Sequence, residues 1–235
     1  MIGIRGLQKT SMVDYPGKVA CTVFLPNCNF RCPFCHNPAL INDVNDLPII
    51  SDEEFFSFLD SRKMWLDGVC ITGGEPTLSQ ELVPFIRKIK EKGFLVKLDS
   101  NGSNPKMLDE LFKDGLLDFV AMDIKASPEK YSLVSGVNVN ITSIQESINL
   151  IRSSGVDYEF RTTILPRFHK RDDLLKIGEW LKGSRTYALQ QFRPGFGTLD
   201  PSFKNEETYQ PDKLREFAEM LKPYFEKVIV RAEGE

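Results

Sequence analysis

Residues 19–35 read Val19-Ala20-Cys21-Thr22-Val23-Phe24-Leu25-Pro26-Asn27-Cys28-Asn29-Phe30-Arg31-Cys32-Pro33-Phe34-Cys35. The run 19–25 is apolar and rich in β-branched residues, the pattern of a buried strand. Three cysteines follow within eight positions. Their thiols therefore sit in a loop at a strand's carboxyl end, where open α/β sheets and barrels keep their active sites. Outward from this point, strand-like runs recur at 69–72, 94–98, 119–124, 158–164, 186–192 and 228–230. Stretches with helical spacing alternate with them at 52–65, 79–92, 105–113, 143–153, 172–182 and 211–224. Ser51 ahead of Glu54 makes a capping box, and Gly93 and Gly155 follow the ends of two helices.

Strand and helix alternate over connections long enough to cross over, which favours a mostly parallel sheet flanked by helices. A complete eight-fold barrel takes about 250 residues, whereas this chain has 235 and shows six or seven strand candidates. The expectation is an α/β fold: an open, partial (β/α)6 TIM-like barrel with a mostly parallel sheet, in a single domain over 1–235. A loop rich in Gly, Pro and polar residues fills 195–203 and 205–210 and reads as functional rather than as a linker. The segment 196–210 and the tail 232–235 carry no further motif.

With 30 basic and 33 acidic residues the net charge is -3, so nothing points to nucleic acid as a partner. Residues 1–18 contain Arg5, Lys9, Asp14 and Lys18 and no continuous apolar stretch, unlike a signal peptide. No run approaches the roughly 20 apolar residues that span a bilayer. The chain is therefore expected in the cytoplasm and off the membrane. Five cysteines, three of them clustered, make a poor disulfide framework and point to metal or redox work.

Thiolates are soft ligands for iron–sulfur clusters or zinc, and three of them leave one iron of a cubane without a protein ligand. A zinc site would need a fourth ligand, and the nearest candidate, His36, is awkwardly adjacent to Cys35. A Cys32–Cys35 dithiol leaves Cys28 unexplained. Simple burial suits Cys21 and Cys70, which fall inside strand runs, better than three thiols in one polar loop. Other chemistry-bearing residues stand at later strand ends: Thr72-Gly73-Gly74-Glu75-Pro76, Ser100-Asn101-Gly102, Asp123-Ile124-Lys125 and Gln190-Gln191. The first three have plain structural alternatives, respectively a strand-to-helix turn, an Asn turn and a surface ion pair. Arg161 lies within an apolar strand and calls for an anionic partner, either a ligand or a structural acid. His36 and His169 form no dyad by their spacing.

The C-x3-C-x2-C spacing, with Phe34 before the third cysteine, resembles the signature of the radical S-adenosylmethionine superfamily. The longer strings Val13-Asp14-Tyr15-Pro16-Gly17 and Asn27-Cys28 to Asn37-Pro38 resemble activating proteins of anaerobic ribonucleoside-triphosphate reductase, and are similar to pyruvate formate-lyase activating enzymes. This resemblance, over nearly the whole chain, implies a 4Fe-4S cluster on Cys28, Cys32 and Cys35, with S-adenosylmethionine on the open iron. It further implies cosubstrate contacts by Phe34, Gly73, Gly74, Glu75, Ser100, Asn101, Asp123, Lys125, Arg161 and Gln191. Reductive cleavage would give a 5′-deoxyadenosyl radical that makes a glycyl radical on a partner, an anaerobic ribonucleotide reductase or a related glycyl-radical enzyme. Reduced flavodoxin or ferredoxin would supply the electron. A radical reaction on a small molecule, such as modified-nucleobase synthesis, and a noncatalytic iron–sulfur carrier are the alternatives.

Overall fold

The computed structural model describes residues 1–195 and 197–232; Phe196 and 233–235, parts of the loop and tail singled out above, lie outside them. The strands are β1 (Gly6–Ser11), β2 (Ala20–Leu25), β3 (Gly68–Gly73), β4 (Leu95–Ser100), β5 (Phe119–Asp123), β6 (Asp157–Ile164), β7 (Ser184–Gln191) and β8 (Phe225–Arg231). The helices are α1 (Asp52–Ser61), α2 (Leu82–Glu91), α3 (Pro105–Lys113), α4 (Tyr131–Ser135), α5 (Ile141–Ser153), α6 (Arg171–Trp180) and α7 (Pro211–Leu221). The strands form one sheet in the order β1 to β8, with β1 and β8 at its ends. β1 is antiparallel to β2, whereas β2–β3, β3–β4, β6–β7 and β7–β8 are parallel.

All seven expected strands are present, and β1 is an eighth. Its residues Gln8, Lys9 and Thr10 are exposed, because an edge strand faces solvent and so lacks the apolar run that marks the others. Helix α1 stops at Ser61 rather than 65: the Arg62 N–H bonds back to Leu59 O, and Trp65 is exposed. Helix α7 ends before Pro223, which cannot continue the ladder, and a 3-10 turn Lys222–Tyr224 takes over. Ser51 caps α1, its hydroxyl accepting from Glu54 N–H at 3.0 Å.

The chain divides into two compact units. The first holds 1–29, 37–121 and 143–157, and its core joins Val23, Ile71, Val96 and Leu98 to the apolar faces of α1, α2 and α3. Phe55 and Phe85 meet there with ring centroids 5.3 Å apart. The second holds 30–36, 122–142 and 158 onward. In it Tyr187 and Phe225 stack at 4.6 Å across β7 and β8. Among the described residues no helix is long and apolar enough to cross a membrane.

Candidate functional site

In the first unit, β2 delivers the chain to Asn27, which has a φ of 66° and is the one non-glycine residue with positive φ among those described. The backbone beyond β3 runs against it: Gly74 N–H donates to Leu25 O at 2.8 Å and Glu75 N–H to Asn27 O at 2.7 Å. The approach admits no side chain. A Cβ on Gly73 would lie 2.4 Å from Leu25 backbone atoms, and one on Gly74 would lie 1.9 Å from Asn27 O. The double glycine therefore exists for close backbone contact with the segment that leads into Cys28.

Glu75 turns inward and is buried. Its carboxylate accepts from Thr77 N–H (3.1 Å), the Thr77 hydroxyl, the Ser100 hydroxyl (2.9 Å) and Asn101 N–H (2.6 Å). Burial pushes this carboxyl upward, while the hydrogen bonds from Thr77, Asn101 and Ser100 act against that push. Ser100 Oγ in turn accepts from Gly102 N–H at 3.0 Å, and Asn101 Oδ1 accepts from Ser103 N–H at 2.9 Å. The Asn turn is thus real. The other end of the Asn101 amide reaches toward the cysteine loop, donating to Asn29 Oδ1 at 2.9 Å and lying 3.9 Å from Cys28 Sγ.

The second unit holds Cys32, Phe34, Cys35, Asp123, Lys125, Arg161 and Gln191. A turn closes the thiol pair, Cys35 N–H donating to Cys32 O at 3.0 Å, and Arg31 N–H donates to Ser135 O at 2.8 Å. Phe34 is buried, its ring centroid 6.0 Å from that of Phe168 and 6.4 Å from that of Phe192. Asp123 at the end of β5 joins Arg161 Nε at 2.5 Å and Lys125 Nζ at 3.0 Å, so the anionic partner expected for Arg161 is an acid of the chain. Burial alone would raise Asp123, but the Arg161 and Lys125 charges prevail and hold it well below the usual carboxylate range. Burial would likewise lower Lys125, yet Asp123 and then Cys32 keep its ammonium above its ordinary value. Gln191 Nε2 donates to Tyr209 O at 2.9 Å.

Two further buried polar groups carry no assigned role in the sequence reading: His169 entered it only as no part of a dyad, and Lys97 not at all. His169 is buried, accepting Leu165 N–H on Nδ1 (3.2 Å) and donating from Nε2 to Lys125 O (2.7 Å). Burial lowers it to about 4, so at neutral pH it is a fixed, uncharged brace under Lys125. Lys97 is buried beside Asp99, with its Nζ 3.7 Å from Cys70 Sγ. Its place in an apolar strand run hid it, although the two-residue spacing that puts Lys97 and Asp99 on one face was legible.

The radical SAM superfamily model matches residues 22–181. A Methanocaldococcus jannaschii protein, MJ1227, provisionally named a glycyl-radical enzyme activating enzyme, is 34% identical over 235 residues, covering 97% of this chain and 95% of its own. The pyruvate formate-lyase-activating enzyme of Streptococcus mutans is 30% identical over 191 residues, 76% of this chain and 72% of its own. Among solved structures, Streptococcus suis SuiB bound to S-adenosylmethionine superposes with a TM-score of 0.68 at 13% identity, over 90% of this chain. This chain spans about half of SuiB, 52%, and the likeness is one of fold. Since a family model covers most of a sequence whose cysteine loop, double glycine and Asp–Lys pair stand at or just after the ends of β2, β3 and β5, the chain belongs to the radical SAM superfamily, whose members use a 4Fe-4S cluster and S-adenosylmethionine.

Proposed function

We propose that this radical SAM enzyme makes a glycyl radical on a partner enzyme of the anaerobic ribonucleotide reductase type. The observation that carries the glycyl-radical reading is the similarity to MJ1227 along 97% of this chain and 95% of that one, which the similarity to a pyruvate formate-lyase-activating enzyme supports; the reductase partner rests on the resemblance of the strings 13–17 and 27–38.

Among the described residues no three His, Cys, Asp or Glu side chains stand gathered as a metal site, and the fit to the cluster rests on donor chemistry. Three thiols suit three irons and leave the fourth open. The Asn101 amide near Cys28 and the Lys125 charge acting on Cys32 are both placed to offset thiolate charge. Cys28, Cys32 and Cys35 would thus hold the cluster. When bound and reduced, it supplies the electron that splits S-adenosylmethionine into methionine and a 5′-deoxyadenosyl radical.

The chain's own groups bind and orient. Gly73 and Gly74 bring backbone close enough to meet the methionyl amine. Glu75 fixes Ser100 and Asn101 for the methionyl carboxylate. Arg161 and Lys125 keep Asp123 ionised, as an acceptor suited to ribose hydroxyls. Phe34, held between Phe168 and Phe192, and Gln191 would complete the contact set. That radical would remove a hydrogen atom from a glycine Cα of the partner, leaving 5′-deoxyadenosine and the glycyl radical. Reduced flavodoxin or ferredoxin is the proposed electron donor.

The test mixes the reconstituted protein, S-adenosylmethionine and a reductant with an anaerobic ribonucleoside-triphosphate reductase under argon. A glycyl-radical doublet in the electron paramagnetic resonance spectrum is expected. Cosubstrate cleavage with no radical on any glycyl-radical enzyme would overturn the partner and favour a small-molecule substrate.

A further inference from the structure

We propose that residues 197–206 form a strap that positions the Cys32–Cys35 loop and limits the loss of the cluster held there, with Phe203 and Arg167 as positioning residues. The proposal rests on the cluster reading above.

Two independent sets of contacts carry it. The first is backbone: Leu199 N–H donates to Cys35 O at 3.2 Å and Asp200 N–H to Pro33 O at 2.9 Å. The strap is itself braced. The Thr198 hydroxyl donates to Asp200 O at 2.8 Å, Asp200 Oδ1 accepts from Ser202 N–H at 2.9 Å, and Gly195 N–H donates to Lys204 O at 2.9 Å.

The second set is aromatic. Phe203 is buried and stacks on Phe168 with centroids 5.8 Å apart and planes 21° apart. Phe168 meets Phe34 at 6.0 Å, Phe34 meets Phe192 edge-on at 6.4 Å, and Phe192 stacks on His36 at 4.9 Å. The ladder thus reaches the residue before Cys35 and the residue after it. At its outer end the Arg167 guanidinium lies 4.4 Å over the Phe203 ring, and it is held there by Glu206 through contacts of 3.1 and 2.5 Å. Backbone and rings therefore grip the same four-residue stretch. Opening of that stretch is the motion by which iron would leave the Cys32 and Cys35 thiolates, and the strap must lift for the backbone bonds to Cys35 O and Pro33 O to break.

The experiment compares wild type with Phe203→Ala, Arg167→Gln and Phe225→Ala, the last removing an equivalent stack on Tyr187 that does not touch the cysteine loop. After anaerobic reconstitution, iron release to an excess of chelator is timed, and the cluster's midpoint potential is measured. Amide hydrogen exchange is followed on the metal-free proteins. Phe203→Ala should speed iron release about tenfold, the scale that one aromatic stack and one cation–π contact together support. It should also move the potential to less negative values, because water then reaches the cluster. Protection of the Leu199 and Asp200 amides should fall in the metal-free protein. Arg167→Gln, at a half-exposed position, should speed release about threefold, and it decides the matter if Phe203→Ala fails to fold. Phe225→Ala should lower thermal stability and leave release unchanged. Release from Phe203→Ala or Arg167→Gln at the wild-type rate, or equal acceleration by Phe225→Ala, would overturn the strap. A wild-type protein that takes up no iron would overturn the cluster reading beneath it, and hydrogen exchange would still report whether 197–206 grips the loop.

Discussion

Replacing Gly74 with alanine puts one methyl group where the fold has no room. The new Cβ would stand 1.9 Å from Asn27 O and 2.6 Å from Asn27 C, and both are backbone atoms that no rotamer change can move. Asn27 must retreat by roughly 1 Å to relieve even the worst of this overlap. That retreat stretches the 2.7 Å bond from Glu75 N–H to Asn27 O. Overpacking costs about 1–3 kcal/mol and the weakened hydrogen bond about 1 kcal/mol, so a loss near 3 kcal/mol is expected in urea melts of the metal-free protein. Because Asn27 immediately precedes Cys28, a shift of that size should also cut cosubstrate cleavage by roughly 10²-fold. Gly197→Ala is the control: its Cβ would meet nothing within 4 Å, and a change within about 0.5 kcal/mol is expected. If Gly74→Ala unfolds at the same urea concentration as Gly197→Ala and keeps its activity, the reasoning about the double glycine is wrong.

Other outcomes follow from the same geometry. His169 titrates at about 4 when folded, below its ordinary 6.5, because burial disfavours the cation, with Asp173 favouring it and Lys130 opposing it. The unfolded chain therefore binds the proton first, and stability should fall by about 2 kcal/mol between pH 7 and pH 5; His169→Gln should flatten that slope in urea melts. Asp123 is depressed below its ordinary 3.8 by Arg161 and Lys125, so its contribution is present above that pH and lost as pH falls further; Asp123→Asn should remove the acid-side slope below about pH 4. Glu75→Gln turns an amide NH2 onto one of the donors that now meet the carboxylate; a loss of about 2 kcal/mol and faster exchange at the Asn101 and Gly102 amides are expected, and unchanged exchange would count against Glu75 as the organiser of that turn.

The sequence made legible whatever a short-range pattern dictates. Val23, Ile71 and Leu98 announced buried strands, Ser51 with Glu54 announced the start of α1, and the run 19–25 announced that the three cysteines follow a strand's carboxyl end. β1 was illegible because an edge strand needs no apolar run, and its polar residues 8–10 look like a loop. Pairings across the sheet were hidden for a different reason. Ser100 and Glu75 were both read as ligand contacts, yet their meeting at 2.9 Å depends on the register of β3 against β4, which no local pattern encodes. Arg161 shows the intermediate case: burial in an apolar strand demanded an anionic partner, a ligand or an acid, and only the fold could choose Asp123. The strap was invisible for a third reason, since Leu199 and Asp200 act through backbone N–H groups that any residue but proline carries.

The central claim, that Cys28, Cys32 and Cys35 hold a cluster at which S-adenosylmethionine is cleaved, is tested most directly on anaerobically reconstituted protein. Iron and sulfide are counted, and 5′-deoxyadenosine is measured after reduction, with Cys32→Ala alongside. About four irons per chain, with 5′-deoxyadenosine production that the substitution abolishes, is the predicted result. Zinc in place of iron, or a reduced cluster that leaves S-adenosylmethionine intact, would contradict the account.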